Sequence, residues 1–209
     1  MRYEELDDYV EAVRAAQRSV PQVQVLLAME CELVPEFKNY LQDELLGKRQ
    51  FDYLIGAGHY TPHKGDWLNS FTKLNCKPHL KSYAEHLCQM MESKLFAFIA
   101  HPDIFGSTNL EWSADLNACS REILRTAEET QTPLEINGNG LRKKYLKSAD
   151  GFRPPYPWRP FWELASEFNI KVICNSDCHF PNEVVAGISE NLELANSLGL
   201  ELADLSHIH

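Results

Sequence analysis

Four apolar runs in this chain each end in a side chain able to bind a metal ion. VQVLLAM leads into Glu30, FDYLIGAG into His59, LFAFIA into His101, and KVICNS into Asp177 and His179. Short apolar runs of this kind read as buried strands. One His or carboxylate at the C-terminal tip of a strand means little. Four of them form the pattern of a β/α barrel, whose catalytic groups gather at the C-terminal rim. Glu, Asp and His together are ligands for Zn, Mn or Fe, so the candidate metal ligands are Glu30, His59, His101, Asp177 and His179. Asp177 and His179 are two apart, and on an extended segment both face one side while Cys178 faces the other. Pro102 stiffens the turn after His101, and Asp103 is placed to accept the other ring N–H of that imidazole. Glu30 is a carboxylate of the kind that bridges two cations in multi-metal hydrolytic sites.

Each of these residues also has a blander reading. A lone His after a strand is most often a hydrogen-bonded structural residue, and only the fourfold coincidence argues against accident. Glu32, two residues past Glu30, can share its face or stand as a solvated loop acid. His63, His79, His86, His207 and His209 lack the strand-end context and read as surface or loop residues, His63 being the best of them because it neighbours His59. EINGNGLRKK contributes a different element. Gly138 and Gly140 free the backbone, and Arg142 and Lys143 then stand at the rim as candidate substrate-binding cations. A phosphate ester needs such a cation, and Arg can hold it through two hydrogen bonds. The alternative for this stretch is a solvated basic loop.

The elements that must position these residues alternate. Tyr3 to Arg18 reads as a helix, with Leu6, Val10 and Val13 at helical spacing. Val23 to Met29 reads as a strand, Phe37 to Leu46 as a helix stopped by Gly47, and Phe51 to Gly58 as a strand. Thr61 to Pro78 reads as a long loop, of a length that is usually functional or disordered. Then come a helix at Leu80 to Glu92, a strand at Leu95 to Ala100, and a loop at Ile104 to Trp112. Ser113 caps a helix that runs to about Thr130. A strand at Pro133 to Asn137 follows. Pro154, Pro155, Pro157 and Pro160 exclude regular structure there. A helix at Phe161 to Phe168, a strand at Ile170 to Cys174 and a helix at Asn191 to Leu198 complete the chain. Five strands alternating with helices predict a mostly parallel sheet in an α/β fold.

The chain has 209 residues, 44% of them hydrophobic and 24% charged, which suits a single domain spanning 1–209. Its net charge of −10 argues against wrapping a nucleic acid, though not against binding a small phosphate locally. The six cysteines form no CxxC pair and match no zinc ribbon or finger, so they read as reduced thiols of a cytoplasmic protein. Cys178 is the exception to watch, since it lies between two candidate ligands. The acidic, amphipathic start is unlike a signal peptide. No apolar stretch reaches the ~18 residues needed to span a bilayer, which excludes a membrane partner of that kind.

Taken together, AMECE, GAGHY, AHPDIF, EINGNGLRK and NSDCHFPNEV fall in the order of motifs seen in the PHP (polymerase and histidinol phosphatase) family, and the chain resembles its histidinol-phosphatase branch from near residue 3 to about residue 188. The resemblance implies a distorted (β/α)7 TIM-like barrel with up to three divalent metal ions at its rim. It implies that Glu30 bridges two metals, that His59 and His101 complete the second, that Asp177 serves the first and His179 the third, and that Arg142 lies near a substrate phosphate. The implied activity is hydrolysis of a small phosphorylated metabolite by metal-activated water, with histidinol phosphate the leading substrate and histidine biosynthesis the setting. No protein nucleophile is expected. Ala57-Gly58 in place of Ser-Val and Asn175 in place of Gly are mild departures.

A larger departure lies at the N-terminus. The family opens with a strand ending in His-x-His, whereas no His precedes His59 here. The chain reads as a PHP barrel missing its first β/α segment, either because Met1 is an internal methionine or because the protein is shortened. Such a barrel leaves an unpaired strand edge, expected along Val23 to Met29. The expectation is a marginally stable chain or one that self-associates through that edge. A truncated, catalytically impaired metal-binding or interaction protein is therefore the alternative function. A PHP-type phosphodiesterase on nucleotides is the second, disfavoured by the acidic balance.

Overall fold

The apolar runs do form strands, and they pair side by side. The computed structural model describes residues 2–206 and 208; His207 and His209 lie outside the described residues. Its strands are β1 (Ala28–Cys31), β2 (Tyr53–Gly56), β3 (Tyr60–His63), β4 (Asp66–Asn69), β5 (Phe98–Ile99), β6 (Leu134–Asn137), β7 (Leu146–Ser148), β8 (Gly151–Arg153), β9 (Lys171–Asn175) and β10 (Glu201–Leu202). Its α-helices are α1 (Leu6–Ser19), α2 (Ser70–Lys73), α3 (Lys77–Ser93), α4 (Ala114–Thr130), α5 (Asn139–Arg142), α6 (Arg159–Ala165) and α7 (Ile188–Ser197). Six strands make one sheet in the order β1-β2-β5-β6-β9-β10, and every neighbouring pair is parallel. The fold is α/β with a parallel central sheet. No pairing among the described residues joins β1 to β10, so the ladder has two ends.

Parallel pairing in chain order puts all the strand C-termini at one end of the sheet, the usual place for ligands in such folds. Glu30 pairs with Ile55 inside the sheet. His59 follows the last residue of β2 by three positions, while His101 follows β5 and Asp177 follows β9 by two each. The pairing therefore brings together residues that are far apart in sequence.

Several elements differ from the sequence expectation. β1 begins at Ala28 rather than Val23, and Val23 is exposed. Residues 37–46 do not form one α-helix. A 3-10 turn at Pro35–Phe37 leads into a π-helical segment, Tyr40–Lys48, that runs through Gly47. The long loop from Thr61 to Pro78 contains the antiparallel β3–β4 hairpin and α2. Its turn is Lys64-Gly65, with φ of 52° and 84°, the left-handed pair that matches the twist of a two-residue hairpin. β10, with only two residues, is a sixth sheet strand with too little apolar pattern to be seen in the sequence.

β1 is an edge strand, and α1 covers part of it. The Tyr9 hydroxyl donates to the Ala28 carbonyl at 2.7 Å, and the Gln17 amide donates to the Val25 carbonyl at 2.8 Å. Leu6 is buried and Tyr9, Val10 and Val13 pack onto the core, as the helical spacing predicts. Ser113 caps α4 by accepting from the Leu116 amide at 3.3 Å, a contact worth about 1 kcal/mol. Both α3 and α4 end in a left-handed residue, Lys94 and Gln131. Beneath them Tyr83, Leu87, Phe105, Ile123, Leu124 and Trp162 are sealed from solvent, each apolar side chain of this size contributing about 1.5–3 kcal/mol. That core anchors the strand ends on which the candidate site is built.

Candidate metal centre

Glu30, His59 and His101 meet at the C-terminal end of β1, β2 and β5. Each offers one ligand atom, and these atoms lie within 4.8 Å of one another. His59 Nε2 is 2.9 Å from Glu30 Oε1, and His101 Nε2 is 3.3 Å from the same oxygen. Ligand atoms bonded to tetrahedral zinc at ~2.0–2.1 Å stand about 3.3 Å apart, so the donor spacing fits such an ion. One carboxylate and two imidazoles are also the donor set of known catalytic zinc sites.

The second nitrogen of His59 is held as well. His59 Nδ1 lies 3.3 Å from Glu32 Oε1, which also accepts the Tyr60 amide at 3.1 Å. A carboxylate on Nδ1 keeps the proton there and aims Nε2 at the metal position. Glu32 is therefore not a solvated loop acid. Its other oxygen lies 3.5 Å from Nε2 of His86, which is a buried residue of α3 and not a surface one. The signal in the sequence is the spacing of Glu30 and Glu32, two apart at the C-terminal end of β1, which lets both carboxylates face one side. We expect Glu32→Gln to weaken zinc binding about 10- to 100-fold, measured by competition with a chromophoric chelator. An unchanged affinity would show that His59 keeps its orientation unaided.

His101 is 2% exposed and sits at φ 30°. Left-handed geometry in a residue other than glycine costs about 1–3 kcal/mol and clusters at functional sites. Its amide donates to Glu135 Oε2 at 3.0 Å, which fixes the turn. Asp103 does not take the remaining ring N–H. Its Oδ2 accepts from the Trp158 amide at 2.5 Å and Trp162 Nε1 at 3.0 Å, while His101 Nδ1 is buried with no hydrogen-bond partner among the described residues. Asp103 thus braces the proline-rich segment before α6. Burial pushes its carboxyl up to about 6.

The electrostatics of the triad follow from close opposite charges. Burial pushes the Glu30 carboxyl up, but hydrogen bonds from His101 and His59 outweigh it and hold the group well below the usual carboxylate range. Burial pulls His59 down, yet Glu30 and Glu32 raise it to about 9. His101 is raised by Glu30 and Glu135 against its complete burial. Glu135, on β6, is raised by burial, and it accepts from Asn137 Nδ2 at 2.8 Å and Asn175 Nδ2 at 3.0 Å.

A cleft of about 370 Å³ opens over the triad, lined by Glu30, His59, Phe71, His101, Asn139, Lys143, Tyr156, Asp177 and His179. All five candidate ligands therefore border one cavity. Asp177 and His179 stand apart from the triad within it. Asp177, at φ 49°, accepts from Asn137 at 3.0 Å and Asn139 at 3.1 Å. His179 has a side chain 63% exposed, with Nδ1 3.7 Å from Asp177 Oδ1. Of the two candidate cations, Lys143 lines the cleft and makes no ion pair among the described residues. Arg142 is turned inward. Its guanidinium donates to the carbonyls of Gly138 at 3.0 Å, Ala186 at 3.1 Å, and Ser176 and Asp177 at 2.9 Å each, and its Nε lies 3.6 Å from Glu183. It ties the loop after β6 to the Asp177 loop.

Among the described residues, His63, His79 and the thiols stay outside the cluster. His63 and His79 face each other with ring centroids 4.9 Å apart, on Ser82 and the Lys73 carbonyl respectively. All six cysteines are free, and Cys178 is exposed. No helix among the described residues is long and apolar enough to cross a membrane.

No protein-family profile and no curated protein matches the sequence. Solved structures do. The fold is similar to that of a histidinol phosphate phosphatase from Lactococcus lactis, crystallised with zinc, L-histidinol and phosphate, with a TM-score of 0.70 and 14% identity over 95% of this chain and 76% of that one. It is equally similar to a candidate histidinol phosphatase from Listeria monocytogenes, with a TM-score of 0.70 and 18% identity over 91% of this chain and 77% of that one. At such identities the likeness is one of fold.

Proposed function

We propose that this chain is a metal-dependent phosphatase that hydrolyses a small phosphate monoester, with histidinol phosphate the first substrate to test. The observation that supports it best is the Glu30–His59–His101 triad at the floor of a cleft that also carries Lys143, Asp177 and His179. The fold shared with a histidinol phosphate phosphatase crystallised with zinc points the same way. A barrel of the PHP type is the architecture this reading favours.

A divalent cation bound by Glu30, His59 and His101 supplies Lewis acidity toward a phosphoryl oxygen and lowers the pKa of a water. The chain supplies the rest. Glu32 holds His59 in the productive tautomer. Lys143 offers its free ammonium to the ester's anionic oxygens as a point charge. Arg142 keeps the Asp177 loop in place, so that Asp177 and His179 face the cleft. Phe71 stacks on His59 with ring centroids 5.7 Å apart and screens that edge of the site from water.

The direct test is turnover of histidinol phosphate and other phosphate monoesters by the zinc- or manganese-loaded chain. Turnover that survives replacement of both His59 and His101 would sink the proposal. A second reading, a metal-binding protein without turnover, is favoured by one observation: among the described residues only three ligands converge, while Asp177 and His179 pair with protein groups instead. Bound zinc without phosphate release from any monoester would select it.

A further inference from the structure

The Tyr156 hydroxyl is a polar group at the cleft that the proposed chemistry has not used. Tyr156 lies between β8 and α6, is 1% exposed, and lines the same cleft as the triad. Its ring centroid is 5.9 Å from that of His101 and 6.5 Å from that of Phe71. Among the described residues its hydroxyl makes no hydrogen bond. Tyrosines whose rings are buried keep the O–H for a polar partner, and with no protein group beside it this hydroxyl is left to whatever enters the cleft that the candidate metal ligands also line.

Two features define what it can bind. A phenol is protonated at neutral pH, so the hydroxyl facing the cleft is a neutral donor suited to an anionic oxygen. The second feature is its support. A Cβ placed on Gly140 would meet the Tyr156 carbonyl at 1.9 Å and its Cδ2 at 2.4 Å. The α5 segment that ends just before Lys143 therefore rests directly on Tyr156, and only glycine permits that approach. The phenol and the free ammonium are thus mounted on one packed unit at the cleft.

We propose that Tyr156 donates its O–H to a non-bridging phosphoryl oxygen in the cleft, beside Lys143, and is a substrate-binding residue. This rests on the phosphatase reading above. No covalent step is involved, since the phenol keeps its proton through turnover.

Tyr156→Phe tests it, with three measurements on the zinc-loaded chain: inorganic phosphate binding by calorimetry, zinc affinity, and turnover of p-nitrophenyl phosphate. Thermal melting of the metal-free chain is the fourth. The expected result is a phosphate Kd raised about tenfold or more, as for a lost hydrogen bond to a charged group. Zinc affinity should stay unchanged and Tm should stay equal or rise, because no protein hydrogen bond is removed. An unchanged phosphate Kd in a wild-type background that binds phosphate and turns over would overturn this proposal alone. A Tm lowered enough to unfold Tyr156→Phe would reveal a native hydrogen bond at the hydroxyl and would also overturn it. Wild-type chain that neither binds phosphate nor releases it from esters would overturn the phosphatase reading and this proposal together.

Discussion

Replacing Glu30 with Gln is expected to remove bound zinc and to lower phosphate release by about 10³-fold, equivalent to roughly 4 kcal/mol of transition-state stabilisation. The reason is the position of one oxygen. Glu30 Oε1 is within 2.9 Å of His59 Nε2 and 3.3 Å of His101 Nε2, so it is the shared corner of the donor triangle. Gln keeps the shape and removes the charge. The two imidazoles then lose the anion that holds both of them toward one point, and a neutral carboxamide is a poor ligand for zinc. Metal analysis after gel filtration and a phosphate-release assay give the two readouts. Zinc retained at the wild-type level, with turnover intact, would place the metal elsewhere.

Strand ends were legible because a parallel sheet turns linear position into spatial position. A residue just past an apolar run lies at the C-terminal edge, whichever strand carries it. Glu30, His59, His101, Asp177 and His179 could therefore be gathered on paper, and all border the same cleft. What each side chain does within that edge depends on partners many residues away. Glu32 meets His59 across 27 positions, and His86 reaches it from α3; nothing local announces either contact. Arg142 and Lys143 are adjacent cations in the sequence, yet one is spent on four carbonyls and the other faces the cleft. Tyr156 carries no motif at all, since its place follows from Gly140 and the fold of the proline-rich segment. The β3–β4 hairpin was missed for a different reason. Its strands are short and half-exposed, and its Lys64-Gly65 turn is a weaker signal than Asn-Gly. β10 has two residues, below what periodicity can register.

Zinc affinity should rise steeply with pH between about 6 and 9, by roughly 10³-fold for the proton on His59 alone, since each unit below a ligand's pKa costs tenfold in an equilibrium that must displace the proton. In the metal-free chain burial pulls His59 down, but Glu30 and Glu32 raise it to about 9. His101 is raised in the same direction, so the slope should exceed that of a single proton wherever both are charged. The sign follows from linkage. A histidine raised above its unfolded value of ~6.5 stabilises the metal-free fold fully below that pH, and loses this contribution as the pH climbs through the folded pKa. Protons and zinc thus compete for one pair of imidazoles. The metal-free chain should melt progressively lower from about pH 6.5 to 9 on this group's account, while the zinc-loaded chain should stay nearly level over the same range, because tighter zinc binding offsets the lost contribution of the protonated imidazole. Melting curves with and without zinc across that window read out both trends, and calorimetry in buffers of different ionisation enthalpy counts the protons released. Zinc affinity that is flat from pH 6 to 9 would mean that His59 is already deprotonated in the metal-free chain, and that the carboxylates on either side of it do not govern its charge.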